Sequence, residues 1–109
     1  MIVAHKYFDW DPDKNVWLLE HRQIRFEDVL PILEGKEALA TIPHPNKKKF
    51  PNQKVYVIEL RNYVYVIPFV EDEEKIFLKT IYPSRKANRI YKKKSWKRKH
   101  YILMTKRGR

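Results

Sequence analysis

The segment Ser84-Arg85-Lys86 holds the residue types best suited to grip a phosphate. Pro83 ends what precedes it, and Ser84 is a good helix N-cap, so Arg85 and Lys86 fall in the first turn of a predicted last helix. Cations there oppose the helix dipole, at a cost of about a few tenths of a kcal/mol each. Together with the free backbone N–H groups of that turn they make a phosphate site; the alternative is ordinary surface charge. Arg89, Lys92 and Lys93 extend the same cationic surface. Lys79 is expected on a strand between Phe77 and Ile81, on their face by the period of two, where it must reach the rim or line a site. Lys14 and His21 are seven apart on a predicted helix and share a face with Leu18. A histidine there can serve as general acid or base near neutral pH, or simply end the helix. Tyr91, two turns past Arg85, can stack on a base, donate a proton or pack in the core. His44 is isolated in a proline-rich loop, and no His or carboxylate spacing makes a metal site. Asp9, Asp11 and Asp13 alternate like a calcium loop but lack its glycine and distal glutamate; helix capping accounts for them better.

The distribution of charge points to the class of partner. The formal net charge is +11. Residues 1–84 carry 12 basic and 13 acidic side chains, whereas residues 85–109 carry 12 basic ones and no acid. A near-neutral body with a cationic end suits a polyanion: RNA, DNA or an acidic protein. Only Gly35 and Gly108 are glycine, which excludes glycine-rich phosphate loops and dinucleotide fingerprints. The absence of cysteine excludes disulfides, thiolate zinc sites and a thiol nucleophile. No apolar run approaches the roughly 20 residues that span a bilayer, and the start lacks the regions of a signal peptide. No membrane association is expected, and the expected compartment is the cytoplasm.

At 109 residues the chain is one domain, and 43% hydrophobic residues are enough for a core. A short strand is expected over Ile2 to Phe8. Asp11-Pro12 starts a helix that runs to about Arg22, and a second helix spans about Phe26 to Glu34, with Val29, Ile32 and Leu33 inward and Gly35 as its stop. Ala38 to Ile42 reads as a strand. Gln53 to Leu60 and Tyr63 to Val70 form a hairpin about Arg61-Asn62, and Lys75 to Tyr82 is a further strand. Pro68 lacks a donor and belongs at a bulge or on an unpaired side. Strands apolar on both faces suggest a sheet covered on each side. The last helix carries Ala87, Ile90 and Tyr91 on one face. The expected class is α+β, a small antiparallel sheet with flanking helices in the order β-α-α-β-β-β-α, with a domain over 1–94 and a basic C-terminal tail over 95–109.

That order, with Phe8-Asp9-Trp10-Asp11, Lys14, Phe26-Glu27 and Ser84-Arg85-Lys86-Ala87, resembles the BrnT-type ribonuclease toxins of bacterial type II toxin–antitoxin modules, which share the RelE-like fold. The likeness covers roughly residues 7–91. Where such toxins often carry a histidine before the turn between the first helices, this chain has Arg22, with His21 one position earlier. The resemblance implies a metal-independent endoribonuclease without a cofactor, attacking the phosphodiester with the 2′-hydroxyl and neutralised by a cognate antitoxin. Such cleavage needs a base for the 2′-hydroxyl, an acid for the leaving oxygen and stabilisation of the phosphorane charge. Lys14, His21, Lys79, Arg85 and Tyr91 are the catalytic candidates; Arg85, Lys86, Arg89, Lys92 and Lys93 are the candidates for holding RNA. The rival expectations are a non-catalytic RNA- or DNA-binding module and a protein-interaction domain.

Overall fold

The computed structural model describes residues 6–92, so Ile2 to His5, Lys93 and the tail over 95–109 lie outside the described residues. The chain opens with β1 (Tyr7–Trp10), which turns at Asp11 into α1 (Pro12–Arg22). Asp11 caps that helix: its Oδ1 accepts from the Asp13 N–H at 2.9 Å. The helix ends where Gln23 turns left-handed, at φ 53°. After it come α2 (Phe26–Glu34), β2 (Ala40–Pro43), β3 (Lys54–Leu60), β4 (Tyr63–Glu71), β5 (Lys75–Leu78) and β6 (Tyr82–Pro83). Residues 85–92 form α3.

The strands lie in the order β1-β5-β4-β3-β2, with β6 also on β4. The fold is therefore α+β, but its sheet is mixed. β1 runs parallel to β5, against the expectation of an antiparallel sheet, and every other pair is antiparallel. The two helices carry the chain across the sheet between β1 and β2, so β1 enters at the far edge, where β5 is the strand left to pair with it. The hairpin turn sits at Arg61-Asn62, whose φ values of 53° and 66° match the twist of its strands.

Both faces of the sheet are covered. Ile58, Ile67, Phe69 and Leu78 meet Leu18 of α1 and Phe26, Val29 and Leu33 of α2. On the opposite face Val55, Val57, Val64 and Val66 meet Ala87 of α3, with Tyr91 packed against them. Ile90, expected on that inward face, is 47% exposed, because one position of rotation from Tyr91 carries it off the contact.

The expected single strand from Lys75 to Tyr82 is broken. β5 pairs Leu78 with Phe69, while β6 pairs Tyr82 with Val66. Ile67 and Pro68 thus oppose one residue more on the other side, namely Lys79, Thr80 and Ile81. Pro68 is the physical reason. Its carbonyl accepts from the Lys79 N–H at 2.8 Å, but on that same side it has no N–H to return. The bulge also undoes the expected facing of Lys79. Its ammonium lies over the Phe77 ring, at 5.5 Å, while Ile81 is fully buried in the core on the other face.

Candidate functional site

Ser84 leaves β6 with its N–H donating to the Val64 carbonyl at 3.2 Å, and its Oγ accepts from the Ala87 N–H at 3.0 Å. That is an N-cap, contributing about 1 kcal/mol to the helix. Asn88 then holds α3 to the sheet, its Oδ1 accepting from the Val64 N–H at 3.1 Å. The outward face of α3 carries Arg85 and Lys86 in this anchored first turn and Arg89 just after it. All three are exposed, and among the described residues none has a hydrogen-bond or ion-pair partner. The remaining candidates on α3 are placed differently. Lys92 donates to the Asn62 carbonyl at 2.7 Å and so ties the helix to the hairpin turn, and Tyr91 packs against the sheet. Lys93 lies outside the described residues.

A second cluster is built on α1, which covers the opposite face. Asn15 fixes this helix to α2: its Oδ1 accepts from the Phe26 N–H and its Nδ2 donates to Glu27 Oε1, both at 2.8 Å. That hydrogen bond is the main cause holding the Glu27 carboxyl below its ordinary range. Two residues further along, Trp17 gathers three side chains. The His21 ring stacks on it at 4.4 Å and 16°, Lys14 Nζ lies 4.2 Å from its centroid, and Arg22 Cζ lies 4.8 Å away. His21 Nδ1 is 3.0 Å from the Trp17 carbonyl. A carbonyl only accepts, so Nδ1 carries the proton and Nε2 is the nitrogen left for proton transfer. Lys14 and His21 are thus brought together, as expected, but through Trp17. Leu18 points into the core.

The two clusters approach each other at the bulged edge. Arg22 Nη1 donates to the Ile81 carbonyl at 2.6 Å, a short charge-assisted bond. From Ile81 the chain reaches Arg85 in a span of at most about 14 Å of extended backbone. Lys79 is exposed in the same bulge, beside Thr80, whose buried hydroxyl has no partner among the described residues. The arrangement is an open, cationic edge with Trp17 and His21 on one side of it and Arg85, Lys86 and Arg89 on the other. His21 and Arg85 stand on helices that cover opposite faces of the sheet.

Trp17 and the exposed lysines Lys47, Lys48 and Lys49 between β2 and β3 escaped the sequence reading. The spacing Lys14, Trp17, His21 was the signal for the first of these, since residues three and four apart meet on a helix. Arg22 was legible only as the residue at the place of the resembled toxins' histidine, because its partner lies across the fold.

An open groove of about 930 Å³ lies elsewhere, between α2 and the β1 and β2 sides of the sheet, lined by residues including Phe8, Leu33, Lys36, Thr41 and Tyr56. Burial, and secondly the Glu71 charge, push the Tyr56 hydroxyl up to about 12, so it stays protonated. No sequence-derived candidate lines this groove. Among the described residues no group of three or more His, Asp or Glu side chains could hold a metal, and no helix is long and apolar enough to cross a membrane. The chain matches no family model, no curated protein and no solved structure.

Proposed function

We propose that this protein is an RNA-directed endoribonuclease of the BrnT-like, RelE-like toxin kind, acting in the cytoplasm and held silent by a cognate antitoxin. The observation that carries the reading is the set Arg85, Lys86 and Arg89, exposed and without ion-pair partners among the described residues, on a helix whose first turn is anchored to the sheet. Three cations without carboxylate partners invite a polyanion, and a preorganised helix start places its N–H groups beside them.

In this reading Arg85 and the first turn of α3 hold the scissile phosphate, and Lys79 in the bulge stabilises the charge that builds on it. His21 accepts or returns a proton through Nε2, with Lys14 and Tyr91 as further donors. The 2′-hydroxyl oxygen attacks the adjacent phosphorus and the bond to the 5′-oxygen breaks. The products are a cyclic phosphate and a 5′-hydroxyl. The strand has to cross the bulged edge for both clusters to take part.

One observation favours a second reading, a non-catalytic RNA-binding module: His21 is stacked on Trp17, on the face opposite α3. The test is purified protein with single-stranded RNA, with and without excess EDTA. Every group in the mechanism belongs to this protein, so cleavage should persist in EDTA and leave cyclic phosphate ends. Salt-dependent binding without cleavage establishes the module instead. A strict requirement for a divalent metal defeats the mechanism.

A further inference from the structure

The cluster on α1 has a composition that catalysis does not need. A general acid or base calls for His21, yet the residue at its centre is Trp17, 36% exposed, on a helix that also exposes Val16 and Leu19. Nothing in the core requires this ring, since Leu18 makes the contact of that turn with the sheet. Around the ring stand an aromatic partner and two cations, His21, Lys14 and Arg22. Aromatic rings interleaved with cations are the common solution for gripping single-stranded nucleic acid: bases stack on the rings while the cations follow the phosphates.

We propose that Trp17 is a nucleobase platform, on which one base of a single-stranded RNA stacks beside His21 while Lys14 and Arg22 meet the flanking phosphates. The proposal rests on the RNA reading above and gives it a second, salt-independent contact. Lys14 is the group that yields. Among the described residues its ammonium has no hydrogen bond or ion pair, only the ring beneath it. An exposed cation–π contact is weaker than the stacking of a base on tryptophan, so a base takes the place over the ring and the displaced ammonium turns to the phosphate. Arg22 stays, because its bond to the Ile81 carbonyl anchors it at the edge that leads to Arg85. One strand then runs from Trp17 over the bulge towards α3.

The experiment measures binding of a short 2′-O-methyl oligouridylate, which lacks the attacking hydroxyl, and of an abasic strand of the same length, over a salt series. Trp17→Ala should weaken oligouridylate binding about tenfold and leave the slope of log affinity against log salt unchanged, because no phosphate contact is lost. Trp17→Phe should keep most of the affinity, and Trp17→Leu should behave like the alanine variant. Binding of the abasic strand should not respond to any of them. Oligouridylate binding that ignores Trp17→Ala overturns the platform and leaves the RNA reading standing. An equal loss on the abasic strand also overturns it, since the ring then merely props up its cations. Failure of the unaltered protein to bind either strand defeats the RNA reading and the platform together.

Discussion

Arg85→Ala should cut RNA cleavage roughly a hundredfold while leaving the melting temperature where it was. The stability half follows from position. Arg85 is exposed in the first turn of α3, next to the Ser84 cap, and has no ion-pair partner among the described residues. A cation at a helix N-terminus opposes the dipole, so removing it should stabilise, by at most about 0.5 kcal/mol. The activity half follows from the preorganised donors lost from the transition state, on the order of 3 kcal/mol. Stability and activity then move apart, as they do for a residue kept for its function. Arg85→Lys should rescue poorly, because an ammonium lacks the planar two-donor fork that matches a phosphate. Melting curves and single-turnover cleavage, measured side by side, decide the matter. Unchanged cleavage by the alanine variant would remove Arg85 from the centre of the site.

Phe26→Ala should cost about 3–5 kcal/mol, a large share of the stability of a domain this size. Phe26 is fully buried where α2 meets the sheet, and its ring stacks on Trp10 with centroids 5.3 Å apart. Truncation loses the transfer energy of the ring and leaves a cavity that the strand above cannot collapse to fill. Phe26→Leu keeps most of the volume and should lose less. Urea unfolding separates the cases: the midpoint should fall with little change in slope. The alanine variant keeps the backbone N–H that Asn15 binds, so the tie between α1 and α2 should persist. A loss below about 1 kcal/mol would show that the core repacks there.

What could be read from the sequence was what neighbours in the chain decide. Asp11-Pro12 marks the start of α1 because a cap acts on the next few residues. Arg61-Asn62 marks the hairpin, and Ser84 the start of α3, for the same reason. The break between β5 and β6 was not legible from their own residues, because its cause is Pro68 on the neighbouring strand. The sequence reading put Pro68 at a bulge or an unpaired side, but not the bulge opposite Lys79. The parallel pairing of β1 was hidden in the same way, as a choice among edges that only the assembled sheet offers. At the site, the cations of α3 were legible as a group. Their split into Arg85, Lys86 and Arg89, which have no partner among the described residues, and Lys92, which is bound to Asn62, depends on a turn some thirty residues away.

The pairing of β1 with β5 also sets an order of events. Tyr7 lies opposite Lys75, so the strand nearest the start of the chain waits for nearly the whole body to be synthesised. The α1–α2 pair and the β3–β4 hairpin join near neighbours and close early; β1 closes a long loop and pays its entropy late. Phe8→Ala should accordingly speed unfolding and leave the folding rate unchanged, which stopped-flow chevrons would show. Slower folding in that variant would place β1 in the nucleus. For a growing chain, β1 is made early and is seated only once β5 has emerged.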